Sequence, residues 1–455
     1  MIDINKKIKA GFVGFGEVNI PSKFISNRVN AAAEELKKAG LELIETDLVS
    51  DDPGGEQASR AVSELSRDDF DVLIICIAGW IPSWAVIAVI EPFKHKPMIL
   101  LGLTGWQEGQ RFITTADQAG TTALRKPMSD MGYIFKYIVM YRGSQLPVDE
   151  IMSYCRAAGT SASLKNAKIG MAGFSDMRLY GTQYDGVSLK GNIGVEIEHF
   201  DLLEFQQKMD LIGDKEVKIL VDDVKNRWQF TKEAQPGTIE NSVKLYLVIK
   251  SKIEERGYDA FSFVDVDGIK KLMGFAPAGA MTLLHDKIDV PTVPENDSMG
   301  AVTQLIVRFL TGQIAAYLEI YEFMENGALM GVPDYVPAEI VDGKVTVFPN
   351  AFGDFGEGLL NVSKLKIGRV TICRLGYTGD KYQMHIMTGE AQQPINWEEA
   401  GWAPPAPQLA SLEVIFDDST DDFIQKVMCQ HYIISYGDNR MQLEDLCSIL
   451  GIEVL

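Results

Sequence analysis

The sequence predicts an α/β protein: two tandem doubly wound (Rossmann-like) parallel-sheet domains, residues 1–165 and 166–340, then a C-terminal antiparallel β-barrel domain with a terminal helix, residues 341–455. Three observations carry that expectation. Apolar strand-like runs alternate with amphipathic helical stretches from residue 8 onward. The same texture restarts at Lys168, and beyond residue 340 the pattern turns to period two with turn residues between the runs.

In the first domain, Ile8 to Phe15 reads as a strand closed by glycine, and Ser26 to Lys38 as a helix with Val29, Ala32, Ala33 and Leu36 on one face, stopped at Gly40. A strand over Leu41 to Leu48, a helix over Glu56 to Leu65 and a strand over Met98 to Gly102 continue the alternation. Val72 to Ile90 carries no charge and is long enough to suggest a membrane span, but Gly79, Pro82 and Ser83 divide it into a buried strand and a packed helix. The glycines of Gly11-Phe-Val-Gly-Phe-Gly16 do not have the G-x-G-x-x-G spacing of a dinucleotide-binding turn.

The second domain repeats the strand-to-glycine start at Lys168 to Phe174 and an acidic second strand at Gly194 to Leu203. Helices follow at Lys215 to Asn226 and Ser242 to Arg256, then a strand from Ala260 to Asp267 and a long helix from Ala301 to Phe323. The period-two runs of the third domain are Lys344 to Phe348, Gly368 to Arg374, Tyr382 to Met387 and Leu412 to Phe416, with a last helix from Met441 to Gly451.

Composition narrows the function classes. A formal charge of −20 over 455 residues leaves no broad positive field for phosphate backbones or anionic lipid, so neither nucleic acid nor membrane is an expected partner. The five cysteines are widely spaced and form no C-x-x-C pair, which favours a reducing, cytoplasmic compartment over structural zinc. The N-terminal residues show no long apolar core of a secretion signal.

Candidate chemistry begins on Ala260 to Asp267. Strand alternation puts Phe261, Phe263, Asp265 and Asp267 on one face, so two acids end an apolar strand; they meet a cation or a solvent-filled cleft, or cap the turn at Gly268. Prolines at 291 and 294 then deliver Glu295, Asn296 and Asp297 to a strand-to-helix corner, where ligands bind in open α/β sheets. Taken alone, Asp297 is better suited to be the N-cap of the next helix; the acids ending the preceding strand raise the ligand reading. Among five histidines, His431 in Met428-Cys-Gln-His-Tyr-Ile-Ile434 has the best context for a nitrogen ligand, although a lone histidine is more often structural. Acidic oxygens with one imidazole suit a hard divalent ion.

Pro294-Glu-Asn-Asp-Ser-Met-Gly-Ala-Val-Thr303, Cys429-Gln-His-Tyr432 with Tyr436-Gly-Asp438, and Gly368 to Leu375 leading to Thr388-Gly-Glu390 resemble segments of the L-fucose/L-arabinose isomerase family. The resemblance implies an aldose–ketose isomerase that uses Mn²⁺, or another divalent ion such as Mg²⁺ or Co²⁺, and an enediol intermediate. Position by position it implies metal ligands at Asp297 and His431, with the remaining acidic ligand on or next to Asp267, where the family's usual Glu is absent. Asp297, Asp267 and Asp265 are the carboxylates expected at the chemistry, and Glu295 a pocket-lining acid or proton carrier. The resemblance further implies a homo-oligomer with sites near subunit interfaces, where Arg28 and Trp80 or Trp84 touch the sugar. A modified or anionic hexose is one expected substrate; a non-catalytic sugar-binding protein is the competing expectation, since tandem α/β domains also build such binders.

Overall fold

The structure is a computed structural model and describes residues 7–332, 336–351, 354–394 and 409–455. It divides into two compact units. Of the described residues, one unit comprises 7–162 with Met441–Gly451; the other comprises those within Ser163–Arg440, with the terminal segment Ile452–Leu455.

The first unit is a parallel sheet of β1 (Lys9–Phe15), β2 (Glu42–Glu45), β3 (Val72–Ile77), β4 (Met98–Gly102) and β5 (Phe135–Val139), in the order β2-β1-β3-β4-β5. All six residues of β3 are buried, and the helix Ser83–Ile90 buries Ala85, Val86, Val89 and Ile90, as the breakers between them predict. Among the described residues no helix is long and apolar enough to cross a membrane. The helix Arg440–Leu450 belongs to this unit from Met441 onward and not to the β-rich region that precedes it in sequence. Its Asp445 carboxylate accepts from Lys136 Nζ at 2.8 Å and from Ser153 Oγ at 2.6 Å.

The second unit opens with a four-stranded parallel sheet: β6 (Lys168–Ala172), β7 (Glu196–Phe200), β8 (Ala260–Phe263) and β9 (Thr292–Val293), ordered β7-β6-β8-β9. Both parallel sheets therefore start with the same winding. The helix Thr238–Arg256 buries eleven side chains beneath it, including Leu245, Ile249 and Ile253.

The antiparallel region starts earlier than the expected boundary at 340. The predicted helix over 301–323 stops at Thr311, because Gly312 takes a left-handed conformation (φ +75°) and its N–H closes on Arg308 O. The chain continues as β10 (Ala316–Met324) and β11 (Gly327–Val332), then β12 (Gly368–Tyr377), β13 (Tyr382–Gln392), β14 (Ala410–Phe416) and β15 (His431–Tyr436). These pair antiparallel in the order β12-β15-β10-β11-β14-β13, and β13 pairs back with β12, closing a ring of six strands. Ala316, Leu318, Ile372, Leu412, Tyr432 and Ile434 share its core.

Replacing Asp445 by Ala removes both bonds that fix the returning helix and leaves Ser153 buried without its acceptor. The expected cost is about 2 kcal/mol, read as a lower urea midpoint and faster proteolytic loss of residues beyond 440. An unchanged midpoint would mean that apolar packing alone docks the helix.

Candidate active site

The site lies at the carboxyl edge of the β6–β9 sheet. Strand β8 stops at Phe263, four residues short of the predicted end, and Asp265–Met273 form a wide π-helical turn. The cause is not local. The buried carboxylate of Asp176 accepts three backbone N–H groups, from Asp265, Val266 and Asp267, at 2.8–2.9 Å, and bends the chain out of the sheet. Asp265 and Asp267 consequently do not share a strand face. Asp265 is fully buried beside Lys270, at 3.1 Å. The Asp267 side chain is 42% exposed, accepting from Met177 N–H at 3.0 Å and Lys271 Nζ at 2.5 Å.

After β9 the chain makes a corner with two consecutive left-handed residues that are not glycine, Glu295 (φ +63°) and Asn296 (φ +46°). Such backbone costs of order 1 kcal/mol or more per residue and persists only where its surroundings hold it. Here Asp265 Oδ1 accepts Glu295 N–H at 3.1 Å, Phe263 O accepts Asn296 N–H at 3.1 Å, and the Asn296 amide donates to Ala172 O at 3.0 Å. Burial, with a further contribution from Asp176 opposed by Lys270, pushes the Asp265 carboxyl up to about 6.

Asp297 is the N-cap of the helix Ser298–Thr311, its Oδ1 accepting Gly300 N–H at 2.9 Å. The same carboxylate takes two bonds from Arg374 on β12, Nη1 to Oδ2 at 2.5 Å and Nη2 to Oδ1 at 2.7 Å, and one from Tyr317 OH at 2.8 Å. Asp297 and Arg374 are completely buried. Burial alone would raise the Asp297 carboxyl; the Arg374 guanidinium, Gly300 and Tyr317 more than offset it and hold it below the usual range. A Cβ on Gly300 would collide with this carboxylate and stand 2.9 Å from Arg374 Nη1, so the corner requires glycine there.

His431 begins β15 and stands directly across the ladder from Glu319 on β10. Ala316 and Leu318 point into the ring core, so Tyr317 and Glu319 point out of it; the core positions Tyr432 and Ile434 likewise turn His431 outward. The His431 ring stacks on Tyr317 with centroids 4.4 Å apart and planes at 21°. Its Nδ1 is buried, makes no hydrogen bond, and lies 3.6 Å from Glu295 Oε2. Burial pushes the His431 imidazole down to about 3, so the ring is neutral at physiological pH, the form in which imidazole binds metals.

Among the described residues, no group of three or more His, Cys, Asp or Glu side chains is arranged to hold a metal ion. Of the expected ligands Asp267, Asp297 and His431, one suits a divalent ion, and Glu295, expected as a pocket-lining acid or proton carrier, stands beside it. His431 and Glu295 suit it: a neutral imidazole nitrogen without a hydrogen bond faces a carboxylate across a gap too wide for a direct bond. Asp297 offers little, because four donors already surround its two oxygens. Asp267 turns to Lys271 and solvent.

The other expected residues lie in the first unit. Arg28 is fully engaged, donating through Nη1 to Ala78 O and Thr115 Oγ1 and through Nη2 to Thr104 O and Asp117. Its guanidinium lies over the Trp106 ring, 5.5 Å from the centroid, and Trp106 lines a groove of about 590 Å³ together with Phe24, Trp80 and Glu17. Trp80 stands on that groove, half-exposed; Trp84 is exposed and does not line it.

Residues 172–283 match the family model described as the L-arabinose isomerase central domain. Similar proteins are the L-arabinose isomerase of Shouchella clausii, 22% identical over 64% of this chain and 60% of that protein, and the sulfoquinovose isomerase of Priestia aryabhattai, 26% identical over 81% of both. The L-fucose isomerase of Vibrio vulnificus is 20% identical over 68% of this chain and 59% of that protein. The chain is thus similar to sugar isomerases named for L-arabinose, sulfoquinovose and L-fucose. It spans about 60% of the length of the L-arabinose isomerase it matches. A periplasmic solute-binding protein from Actinobacillus succinogenes with bound D-allose covers 68% of this chain and 92% of its own, at 13% identity and a TM-score of 0.18, a superposition too poor to bear on function.

The family-model match contains Asp176 and Asp265 but stops before Glu295, and His431 lies far beyond it. Sequence reasoning missed Glu319, Tyr317 and Arg374. Glu319 was assigned to a helix; the signal for a strand was Gly312 followed by the apolar Ile314 to Leu318, with an acid after it.

Two outcomes test this description. Changing Arg374 to Met leaves Asp297 buried without its cation and is expected to cost about 3–5 kcal/mol, with partial recovery when Asp297→Asn is added, as measured by denaturant unfolding of both variants. The second concerns pH. The Asp265 carboxyl, raised from 3.8 to about 6, adds a destabilising contribution that grows as pH rises between those values and is constant above. Asp265→Asn therefore gains stability relative to the parent from pH 4.5 to pH 7, by about 2 kcal/mol; a difference independent of pH contradicts the shift.

Proposed function

We propose that this chain is a divalent-metal-dependent aldose–ketose isomerase acting on a sugar through an enediol intermediate. The observation that carries the reading is the buried, neutral His431, its Nδ1 without a hydrogen bond and 3.6 Å from Glu295, at the sheet edge where ligands bind. The relatives' names and the family-model match support it.

In this proposal Glu295 and His431 hold the ion, and Glu319, opposite His431 on the ladder, completes the donor set. Bound there, Mn²⁺ (or Mg²⁺ or Co²⁺) supplies positive charge to the sugar oxygens O1 and O2 as negative charge develops on them. The partly buried Glu319 carboxylate is the candidate to take the C2 proton and return it to C1. Asp297 holds the wall of the site with Arg374 and Tyr317, and Asp265 holds the backbone of Glu295; neither needs to touch the sugar. Asp267 takes no direct part.

The proposal extends to a cytoplasmic homo-oligomer in which the groove of Trp80 contributes to sugar binding. The sulfoquinovose isomerase relative makes anionic hexoses a substrate class worth including beside pentoses and neutral hexoses.

Incubation with Mn²⁺ and such a panel in D₂O is expected to give deuterium at C2 of at least one aldose together with its ketose. Glu295→Gln and His431→Ala are expected to abolish Mn²⁺ binding by the folded protein, whereas Asp267→Asn retains it. Stoichiometric sugar binding that ignores chelator, with no exchange on any sugar, would replace this reading with that of a non-catalytic binder.

A further inference from the structure

We propose that Tyr317 is a positioning residue for the metal site: it fixes the His431 ring in the orientation that turns Nδ1 toward Glu295. The inference rests on the metal-site reading above and goes beyond it by assigning what orients the ligand.

A ligating histidine is ordinarily oriented by a hydrogen bond at the nitrogen that does not meet the metal, and loss of such a partner weakens metal binding about 10–100-fold. In this site the described contact that fixes the ring is a face. Tyr317 and Glu319 are two residues apart on β10 and share a side of the sheet; Glu319 is directly opposite His431, and Tyr317 is opposite Ile433. Tyr317 is thus the diagonal neighbour of His431 on the same face, within reach of an aromatic side chain. The two rings lie nearly parallel, at 21° and 4.4 Å. A stacked neighbour on one side resists rotation of the imidazole about its last side-chain bond.

The tyrosine ring is itself held. Its hydroxyl donates to Asp297 Oδ2 at 2.8 Å, and Asp297 is fixed by two bonds from Arg374 and one from Gly300 N–H. Tyr317, Asp297 and Arg374 are all buried, so no solvent replaces these partners. The chain of support runs from the guanidinium through the carboxylate and the phenol to the imidazole. A leucine or phenylalanine would fill the space, but only a phenol both stacks on His431 and binds Asp297.

The test uses the full chain freed of metal, titrated with Mn²⁺ by calorimetry and with Co²⁺ by visible absorption, for the parent, Tyr317→Phe, Tyr317→Leu and His431→Ala. Tyr317→Leu, which loses both face and tether, is expected to weaken Mn²⁺ binding roughly 10-fold or more and to change the Co²⁺ spectrum. Tyr317→Phe keeps the face and is expected to recover most of the affinity while still shifting the spectrum, a graded response that a merely space-filling role would not give. Parent affinity and parent spectrum in both tyrosine variants overturn the proposal while leaving the metal site standing, provided His431→Ala has lost binding. If Tyr317→Leu does not fold, Tyr317→Phe decides: an unchanged Co²⁺ spectrum overturns the proposal. A parent that binds neither ion overturns the metal-site reading, and this inference with it.

Discussion

The second unit depends on one buried ion pair. Arg374 comes from the antiparallel ring and Asp297 from the corner that follows the parallel sheet, and they meet with no solvent access, through two bonds. Placing both charges out of water is expensive and is tolerated because the geometry is bidentate and the remaining acceptor positions of Asp297 are filled by Gly300 and Tyr317. A pair of this kind contributes little net stability over an apolar contact of the same shape. What it gives is a directed link between the ring, through Arg374, and the corner that carries Glu295 and Asp297.

A second constraint acts from the opposite side. Asp176 gathers three N–H groups at the end of β8, which delivers Asp265 to the buried position where it holds the Glu295 backbone. The left-handed turn at Glu295 and Asn296 is thereby stabilised by Asp265 from outside as well as by the bond of the Asn296 amide to Ala172 O. The carboxylates of Asp176 and Asp265 thus serve the backbone, and that of Asp297 serves a guanidinium and a phenol as well as the Gly300 N–H. Glu295 is the acid of the group turned toward His431.

These assignments explain what was legible in the sequence. Alternating apolar strands and helices announced both parallel sheets, and the uncharged run at Val72 to Ile90 resolved into strand and helix where Gly79 and Pro82 interrupt it. Prolines around Glu295 marked the corner, and His431 stood out by its apolar surroundings. Local pattern failed where a distant residue decides the backbone. Nothing near Asp265 signals that Asp176, 89 positions earlier, ends the strand and breaks the alternation of faces. Nor does the spacing of Asp297 and Arg374, 77 positions apart, reveal that the first acid is already taken. Reading Ala301 to Phe323 as one helix hid Glu319, because the amphipathic pattern runs on through Gly312 while the backbone does not.

The return of Met441–Gly451 to the first unit has a bearing on biosynthesis. Lys136 and Ser153 are made early, yet their acceptor, Asp445, leaves the ribosome some 300 residues later. Throughout that interval the first unit has all the strands of its sheet but lacks this helix, and Lys136 and Ser153 are without the Asp445 acceptor. The first unit is therefore completed only after the intervening β-rich segment has been synthesised.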